Sequence, residues 1–181
     1  MVNNMDWVDA REEKSKEEYE KGYFNFVEGA NKVLILSHCA PLAQKWTGTK
    51  YEPAEEGDQN VSVKGVCWVL HEGLLKQAKL PYLVVKAIRA LQNDSEWGFN
   101  EFPMRYPVTI NAKGAGKKEV EYTVVPSPKE MVAPAEILNE LAKKPKPEEI
   151  VEKIKGKKSS IPTANASEYP AADESNSADT F

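Results

Sequence analysis

A β-hairpin signal in the second half of the chain constrains the fold most. In PVTINAKGAGKKEVEYTVVPSP, residues 107 to 128, two runs of alternating apolar and polar side chains flank a turn rich in glycine and lysine. Alternation with period two places one face of a strand on a core, and a glycine-bearing turn between two such runs predicts an antiparallel pair. Pro126 and Pro128 end the second run, because proline has no N–H to donate to a neighbouring strand.

Three earlier segments also have strand-like patterns. KVLILSHC is a short apolar run, AQKWTGTKY alternates in a way that suits one solvated face, and VSVKGVCWVLHEG ends at Gly73. They predict three strands over residues 32 to 39, 43 to 51 and 61 to 73.

A helix is predicted between the third strand and the hairpin. In PYLVVKAIRALQ, residues 81 to 92, the apolar side chains of Val84, Ile88 and Leu91 recur at helical spacing, and Pro81 suits a first helical turn. After the hairpin, Pro145 and Pro147 separate two short amphipathic segments. The order of three strands, a helix and a two-stranded hairpin predicts a mainly β protein, a five-stranded OB-like barrel with the helix between strands 3 and 4.

The two ends of the chain differ from this body in charge. The chain has 24 Lys and Arg against 28 Asp and Glu, a net charge of −4. The two ends together hold three basic and eleven acidic residues, so the 21 basic and 17 acidic residues that remain give the body a net charge of +4. Four segments are predicted. Residues 1–20 are expected to form a charged leader that is either a solvated helix or disordered, and residues 21–130 an OB-like nucleic-acid-binding domain. Residues 131–158 are expected to form a helical linker, and residues 159–181 a disordered acidic tail.

Composition excludes some classes of protein. No apolar run approaches the ~18 residues of a membrane span, and the first residues lack the basic-then-apolar order of a signal peptide. We expect a cytosolic protein without a membrane partner. Cys39 and Cys67 are too few for a disulfide framework and are expected to be buried thiols, with a zinc site formed with His38 and His71 as the alternative.

Aromatic residues interleaved with lysines suggest a binding surface for single-stranded nucleic acid. Flat rings stack on bases, and ammonium groups neutralise phosphates. Trp46 shares its strand face with Gly48 and Lys50, which favours exposure but leaves both stacking and packing open. Trp68 shares its face with Val66 and Leu70 and favours the core over stacking. The candidate DNA-binding residues are Lys45, Trp46, Lys50, Tyr51, Lys64, Trp68, Lys113, Lys117 and Lys118.

Enzymatic activity is not expected. The sequence has no nucleophile elbow, no phosphate-binding loop before a helix and no zinc-binding helix motif. We therefore predict a non-enzyme with no catalytic residues, metal or cofactor. The alternative left open is a metal-dependent nucleic-acid enzyme that uses His38 and His71.

Four segments resemble a known family. YFNFVEGANKVLILS, the Trp-bearing strand after it, the helix end LQNDSEWGF and the hairpin YPVTINAKGAGKKEVEYTVVPSP are together similar to bacteriophage-type single-stranded DNA-binding proteins with an OB fold. The resemblance covers about residues 23 to 128. It implies a protein that coats single-stranded DNA in phage-type replication, recombination or repair, located in the bacterial host cytoplasm if phage-encoded.

The resemblance also gives a role to the terminal Phe. Members of this family end in a flexible acidic tail with a last Phe, through which they recruit replication and recombination proteins. It implies that the partner-docking peptide here contains Asp173, Glu174, Asp179 and Phe181. Such a tail can also compete with DNA for a basic groove, because tethering gives it a high effective concentration.

A second function class stays open. An adaptor could use the same barrel to bind a polypeptide, with the acidic ends as further contacts. The two hypotheses differ in whether Lys45, Lys50, Lys64 and Lys113 converge on one groove beside exposed rings, since scattered lysines favour the adaptor. The sequence leaves the oligomeric state open, a homo-oligomer included.

Overall fold

The structure, a computed structural model, describes residues 6 to 159 and confirms a mainly β protein. Four helices accompany seven antiparallel strands over this part of the chain. The helices are α1 Asp6–Gly22, α2 Tyr82–Gln92, α3 Ala135–Ala142 and α4 Pro147–Ser159. The strands are β1 Gly29–Ile35, β2 Ala40–Trp46, β3 Tyr51–Pro53, β4 Val61–His71, β5 Leu74–Pro81, β6 Val108–Lys113 and β7 Glu121–Pro126.

The long strand β4 organises the open sheet. Along the path β3-β2-β4-β1-β6-β7, neighbouring strands are hydrogen-bonded, and β5 also pairs with β4. One edge of β4 pairs with β2 over residues 61 to 66 and with β1 at residues 69 and 70, while the other edge pairs with β5. The hairpin β6–β7 joins through β1, where Gly29 lies opposite Ala112.

Burial along β4 changes from one end to the other. Residues 61 to 63 are exposed, whereas residues 65 to 70 are all buried. Both α2 and α4 pack against this strand, so its second half is covered on both faces. The first half remains available at the surface.

The prediction of five strands was wrong, because the described part of the chain has seven. The predicted strand over residues 43 to 51 is a hairpin: β2 ends at Trp46, and β3 begins at Tyr51 directly opposite it. The turn between them is closed by the Thr47 N–H, which donates to the Lys50 carbonyl at 2.9 Å, and Gly48 has a φ of +103°. Glycine tolerates this left-handed backbone because it has no Cβ.

The second additional strand is β5, which follows β4 through a two-residue turn. Glu72 and Gly73 have φ angles of +52° and +77°, the pair of positive angles that a type I′ hairpin turn requires. The third strand was predicted to end at Gly73, and no return strand was predicted.

The helix predictions were confirmed. α2 begins directly after Pro81 and buries Val84 and Ile88. The amphipathic segments after the hairpin form α3 and α4, with Pro147 as the first residue of α4. The leader forms α1, the helical alternative of the two predicted.

The predicted docking residues Asp173, Glu174, Asp179 and Phe181 lie outside the described residues. Among the helices of residues 6 to 159, none has the length and apolar character that a membrane span requires.

Candidate nucleic-acid interface

A groove of about 900 Å³ lies where the exposed end of β4 faces the β6–β7 hairpin. One side is formed by Tyr51, the first four residues of β4, three residues of β5 and the first two residues of α2. The other side comes from the second half of the hairpin, and the segment between α1 and β1 completes the lining. The lining residues are Tyr23, Phe24, Asn25, Phe26, Tyr51, Val61, Ser62, Val63, Lys64, Gln77, Lys79, Pro81, Tyr82, Leu83, Lys117, Lys118, Val120 and Tyr122.

The segment of residues 23 to 26 links the two sides of the groove. The Phe24 N–H donates to the Gln77 carbonyl of β5 at 2.9 Å, and Tyr23 forms a parallel bridge with the same residue. The Phe26 ring lies 5.0 Å from the Tyr122 ring of β7. Because β5 and β7 do not pair in the described sheet, this aromatic segment spans the space between them.

The groove is basic. Lys64, Lys79, Lys117 and Lys118 line it, and none of its described lining residues is Asp or Glu. Burial lowers the pKa of the Lys64 ammonium group, and the positive charge of Lys79 lowers it further. A positive charge that lowers the pKa of a neighbouring ammonium group adds to a positive local potential, which favours an anion.

Aromatic and apolar side chains accompany these lysines. The Lys64 ammonium lies 4.4 Å from the centre of the Tyr51 ring, and the Trp46 ring meets Tyr51 edge-on at 5.0 Å. At the start of α2, Tyr82 and Leu83 are 59% and 61% exposed, although both are large side chains. The groove therefore combines exposed flat rings with positive charge, which is the chemistry that binds single-stranded nucleic acid.

Four of the nine predicted DNA-binding residues line the groove: Tyr51, Lys64, Lys117 and Lys118. Three predicted lysines lie outside its lining. Lys45 pairs with Asp58 at 3.2 Å, Lys50 pairs with Glu52 at 3.6 Å, and Lys113 is exposed at the end of β6.

The two predicted tryptophans occupy different environments. Trp46 is 55% exposed at the end of β2, beside the groove rather than in its lining. Trp68 is 6% exposed, and its indole N–H donates to the Pro145 carbonyl at 3.0 Å. Trp68 therefore belongs to the core, the alternative that its strand pattern favoured, and its ring is not available to stack on a base.

Most of the groove lining was not predicted from the sequence, since only four of its 18 described residues were candidates. Lys79, Tyr82 and Leu83 were not candidates because β5 was not predicted, so nothing placed the start of α2 beside β4. Tyr122 is spaced two residues from both Val120 and Val124, a pattern typical of a core face, yet it is only partly buried, and burial raises the pKa of its hydroxyl. One signal was present: YFNF places three aromatic residues just before the first strand, more than a linker needs.

The cysteine and histidine side chains lie elsewhere. The Cys39 and Cys67 thiols hydrogen-bond to each other, which lowers the pKa of Cys39 and raises that of Cys67. His38 contacts Glu148, and His71 lies 3.1 Å from the Lys76 ammonium. Over residues 6 to 159, no three His, Cys, Asp or Glu side chains are grouped as a metal site would require.

All groove residues fall between Tyr23 and Tyr122. Comparison with known proteins finds no matching family model, no matching curated protein and no matching solved structure.

Proposed function

We propose that the protein binds single-stranded DNA in this groove and coats it during phage-type replication, recombination or repair. The observation that carries the proposal is the composition of the groove: four lysines and six aromatic rings with no acidic residue among its described lining. Each stacked base contributes about 1 to 3 kcal/mol, and stacking needs no particular sequence because every base has a π face. The choice of DNA over RNA follows the family resemblance.

The proposal includes an OB-like barrel that is partly open. In such barrels the binding face crosses the central strands and is bordered by the loop between the last two strands. Here the groove includes the start of β4 and the lysine-rich turn between β6 and β7, which support this assignment. Residues 23 to 26 would then occupy the opening between β5 and β7.

The proposal also gives the tail two roles. As in the family it resembles, the acidic end with Phe181 would recruit replication or recombination proteins. It would also compete with DNA for the groove lysines, because a tethered polyanion has a high effective concentration.

The first test is fluorescence anisotropy with labelled oligo-dT at low and moderate salt. If all four groove lysines contact phosphates, the logarithm of the binding constant should fall with the logarithm of salt concentration with a slope of about −2.8. Replacing Lys117 and Lys118 with Gln should change that slope by about 1.4, whereas Lys50→Gln and Lys113→Gln, outside the groove lining, should leave it nearly unchanged.

The chain truncated after Lys158 tests the tail. Removal of a competing polyanion should tighten binding to oligo-dT, most at low salt. If neither the full chain nor the truncated chain binds oligo-dT, the DNA-binding proposal is wrong and the adaptor hypothesis takes its place. Equal binding by the two chains would contradict only the competition by the tail.

A further inference from the structure

Glu28 connects the start of β1 to the lysine-rich turn between β6 and β7. One oxygen of its carboxylate, Oε1, accepts hydrogen bonds from the backbone N–H groups of Gly114 and Ala115, both at 2.9 Å. Two successive N–H groups directed at one point form an anion-binding concavity, and here the anion is a side chain of the same protein. Hydrogen bonds to a carboxylate are stronger than those between neutral groups.

The turn that Glu28 contacts leads directly to two groove lysines. Gly114 and Gly116 have φ angles of +87° and +81°, and the Lys117 N–H donates to the Gly114 carbonyl at 3.0 Å. Lys117 and Lys118 follow at once and line the groove. A glycine-rich turn has many accessible conformations when nothing holds it, so the direction of these lysines depends on what fixes the turn.

The fold brings Glu28 to this turn through the pairing of β1 with β6. Gly29 lies opposite Ala112, so the residue before Gly29 reaches the end of β6. Two residues earlier in the chain, Phe26 lines the groove and contacts the ring of Tyr122. Glu28 is therefore the polar connection between two parts of the groove wall.

We infer that Glu28 is a positioning residue for DNA binding: its carboxylate fixes the turn so that Lys117 and Lys118 face the bound strand. This inference rests on the proposed function. Simple electrostatics predict the opposite effect, because an exposed carboxylate near a polyanion site repels phosphates and its removal should tighten binding. The sign of the change therefore separates positioning from charge alone.

The test compares Glu28→Ala and Glu28→Gln with Glu119→Gln in the full chain, by anisotropy with labelled oligo-dT over a salt series. Glu119 is an exposed acid of the same turn whose side chain does not line the groove, so it is matched in charge and location. We expect Glu28→Ala to weaken binding about 3- to 10-fold. The slope of the logarithm of the binding constant against the logarithm of salt concentration should become less steep by up to about 1.4, which is the contribution of two lysines. Glu28→Gln, which keeps an acceptor oxygen without the charge, should weaken binding less, and Glu119→Gln should leave affinity unchanged or raise it.

A double-mutant cycle strengthens the test. When Lys117 and Lys118 are already Gln, Glu28→Ala should have little further effect, because the groups that it positions are gone. Thermal melts of each variant identify loss of folding, and Glu28→Gln carries the test if Glu28→Ala does not fold.

The outcomes separate this inference from the function on which it depends. If the wild-type protein binds oligo-dT and both Glu28 variants bind it as tightly or more tightly, the positioning role is wrong and the proposed function stands. If the wild-type protein does not bind oligo-dT, both are wrong.

Discussion

At the scale of single residues, Trp46 and Trp68 both lie on strands but have different environments in the fold. Trp46 is 55% exposed and supports the Tyr51 ring of the groove, whereas Trp68 is 6% exposed under the segment that joins α3 to α4. We expect Trp46→Ala to weaken binding to oligo-dT with little change in melting temperature. Trp68→Ala should instead lower the free energy of unfolding by about 3 to 5 kcal/mol, as for a large aromatic side chain removed from a core.

Thermal melts and oligo-dT titrations on the same preparations check both substitutions. Phe102→Ala, at a partly buried ring that is not part of the groove lining, serves as a control for general loss of aromatic packing. Loss of stability with Trp46→Ala, or loss of affinity alone with Trp68→Ala, would contradict the assignment of the two rings.

A second residue-scale effect concerns acid stability at Asp94. Its carboxylate accepts hydrogen bonds from the backbone N–H groups of Trp97, at 2.9 Å, and Glu96, at 2.7 Å, and these bonds lower the pKa of Asp94. Because the pKa is lower in the folded state, the stabilisation is present above the pKa of the unfolded chain and is lost as pH falls through the folded value. Asp94→Asn keeps an acceptor oxygen but cannot titrate, so its stability should depend less on pH in the acid range.

The comparison for Asp94 is urea unfolding of the wild type and Asp94→Asn at neutral pH and at about pH 3, where a free carboxyl is mostly protonated. Glu101→Gln, at an exposed acid of the same loop, controls for loss of a charge. Identical loss of stability on acidification in the wild type and Asp94→Asn would show that these hydrogen bonds do not contribute.

At the scale of elements, the sequence predicted the helices and the β6–β7 hairpin better than it predicted the strands near the groove. β5 escaped prediction because its alternation is broken by Lys76, which is only 8% exposed and contacts His71 across the turn. The alternation over residues 43 to 51 continued through the turn of a hairpin, since threonine and lysine fit either a solvated strand or a turn. Periodicity shows that a segment is extended but does not show where it reverses.

How much of the candidate site could be predicted depended on which strands and turns were recognised in the sequence. Tyr51, Lys64, Lys117 and Lys118 were found because their strands or turn were recognised. Nothing in the sequence excluded Lys45 and Lys50, because the fold decides which acidic residue lies close enough to form an ion pair with each lysine. Residue type and spacing give the chemistry of a surface, and the pairing of strands decides which side chains share it.

The contact between α2 and β4 gives a prediction at the same scale. A Cβ added at Gly65 would lie 2.7 Å from the Val85 Cγ2 atom and 2.9 Å from the Cys39 Cβ atom. Both distances are too short, so Gly65→Ala must displace Val85 of α2 or Cys39 just before β2. We expect it to lower the free energy of unfolding by about 1 to 3 kcal/mol. Because α2 carries Tyr82 and Leu83 to the groove, affinity for oligo-dT should also fall.

Gly156→Ala is the matched control for Gly65→Ala. A Cβ there would meet nothing within 4 Å, and its site within α4 favours alanine over glycine by up to about 1 kcal/mol. Denaturant unfolding of the two variants should therefore give changes of opposite sign. Equal effects would show that the close approach at Gly65 is relieved without cost.

At the scale of the whole molecule, a chain with a net charge of −4 gathers positive charge in one groove. The excess of acidic residues belongs to the two ends of the sequence, so total charge is a poor guide to the local field that a polyanion meets. Within the groove, burial lowers the pKa of Lys64, and the positive charge of Lys79 lowers it further. A bound phosphate would favour the charged form of Lys64, so binding of DNA should be coupled to uptake of a proton.

This coupling predicts weaker binding at alkaline pH. Phosphate favours the charged form of Lys64, so its pKa is higher in the complex than in the free protein, where burial and Lys79 lower it. As pH rises from the lowered value towards the ordinary lysine value, the free protein loses its proton first, and affinity for oligo-dT should fall through that window. Lys64→Arg stays charged throughout, so its affinity should change less between neutral pH and about pH 10, whereas Lys50→Arg should behave like the wild type. Anisotropy titrations at constant ionic strength measure this difference, and parallel pH profiles for wild type and Lys64→Arg would mean that Lys64 does not contact the bound phosphates.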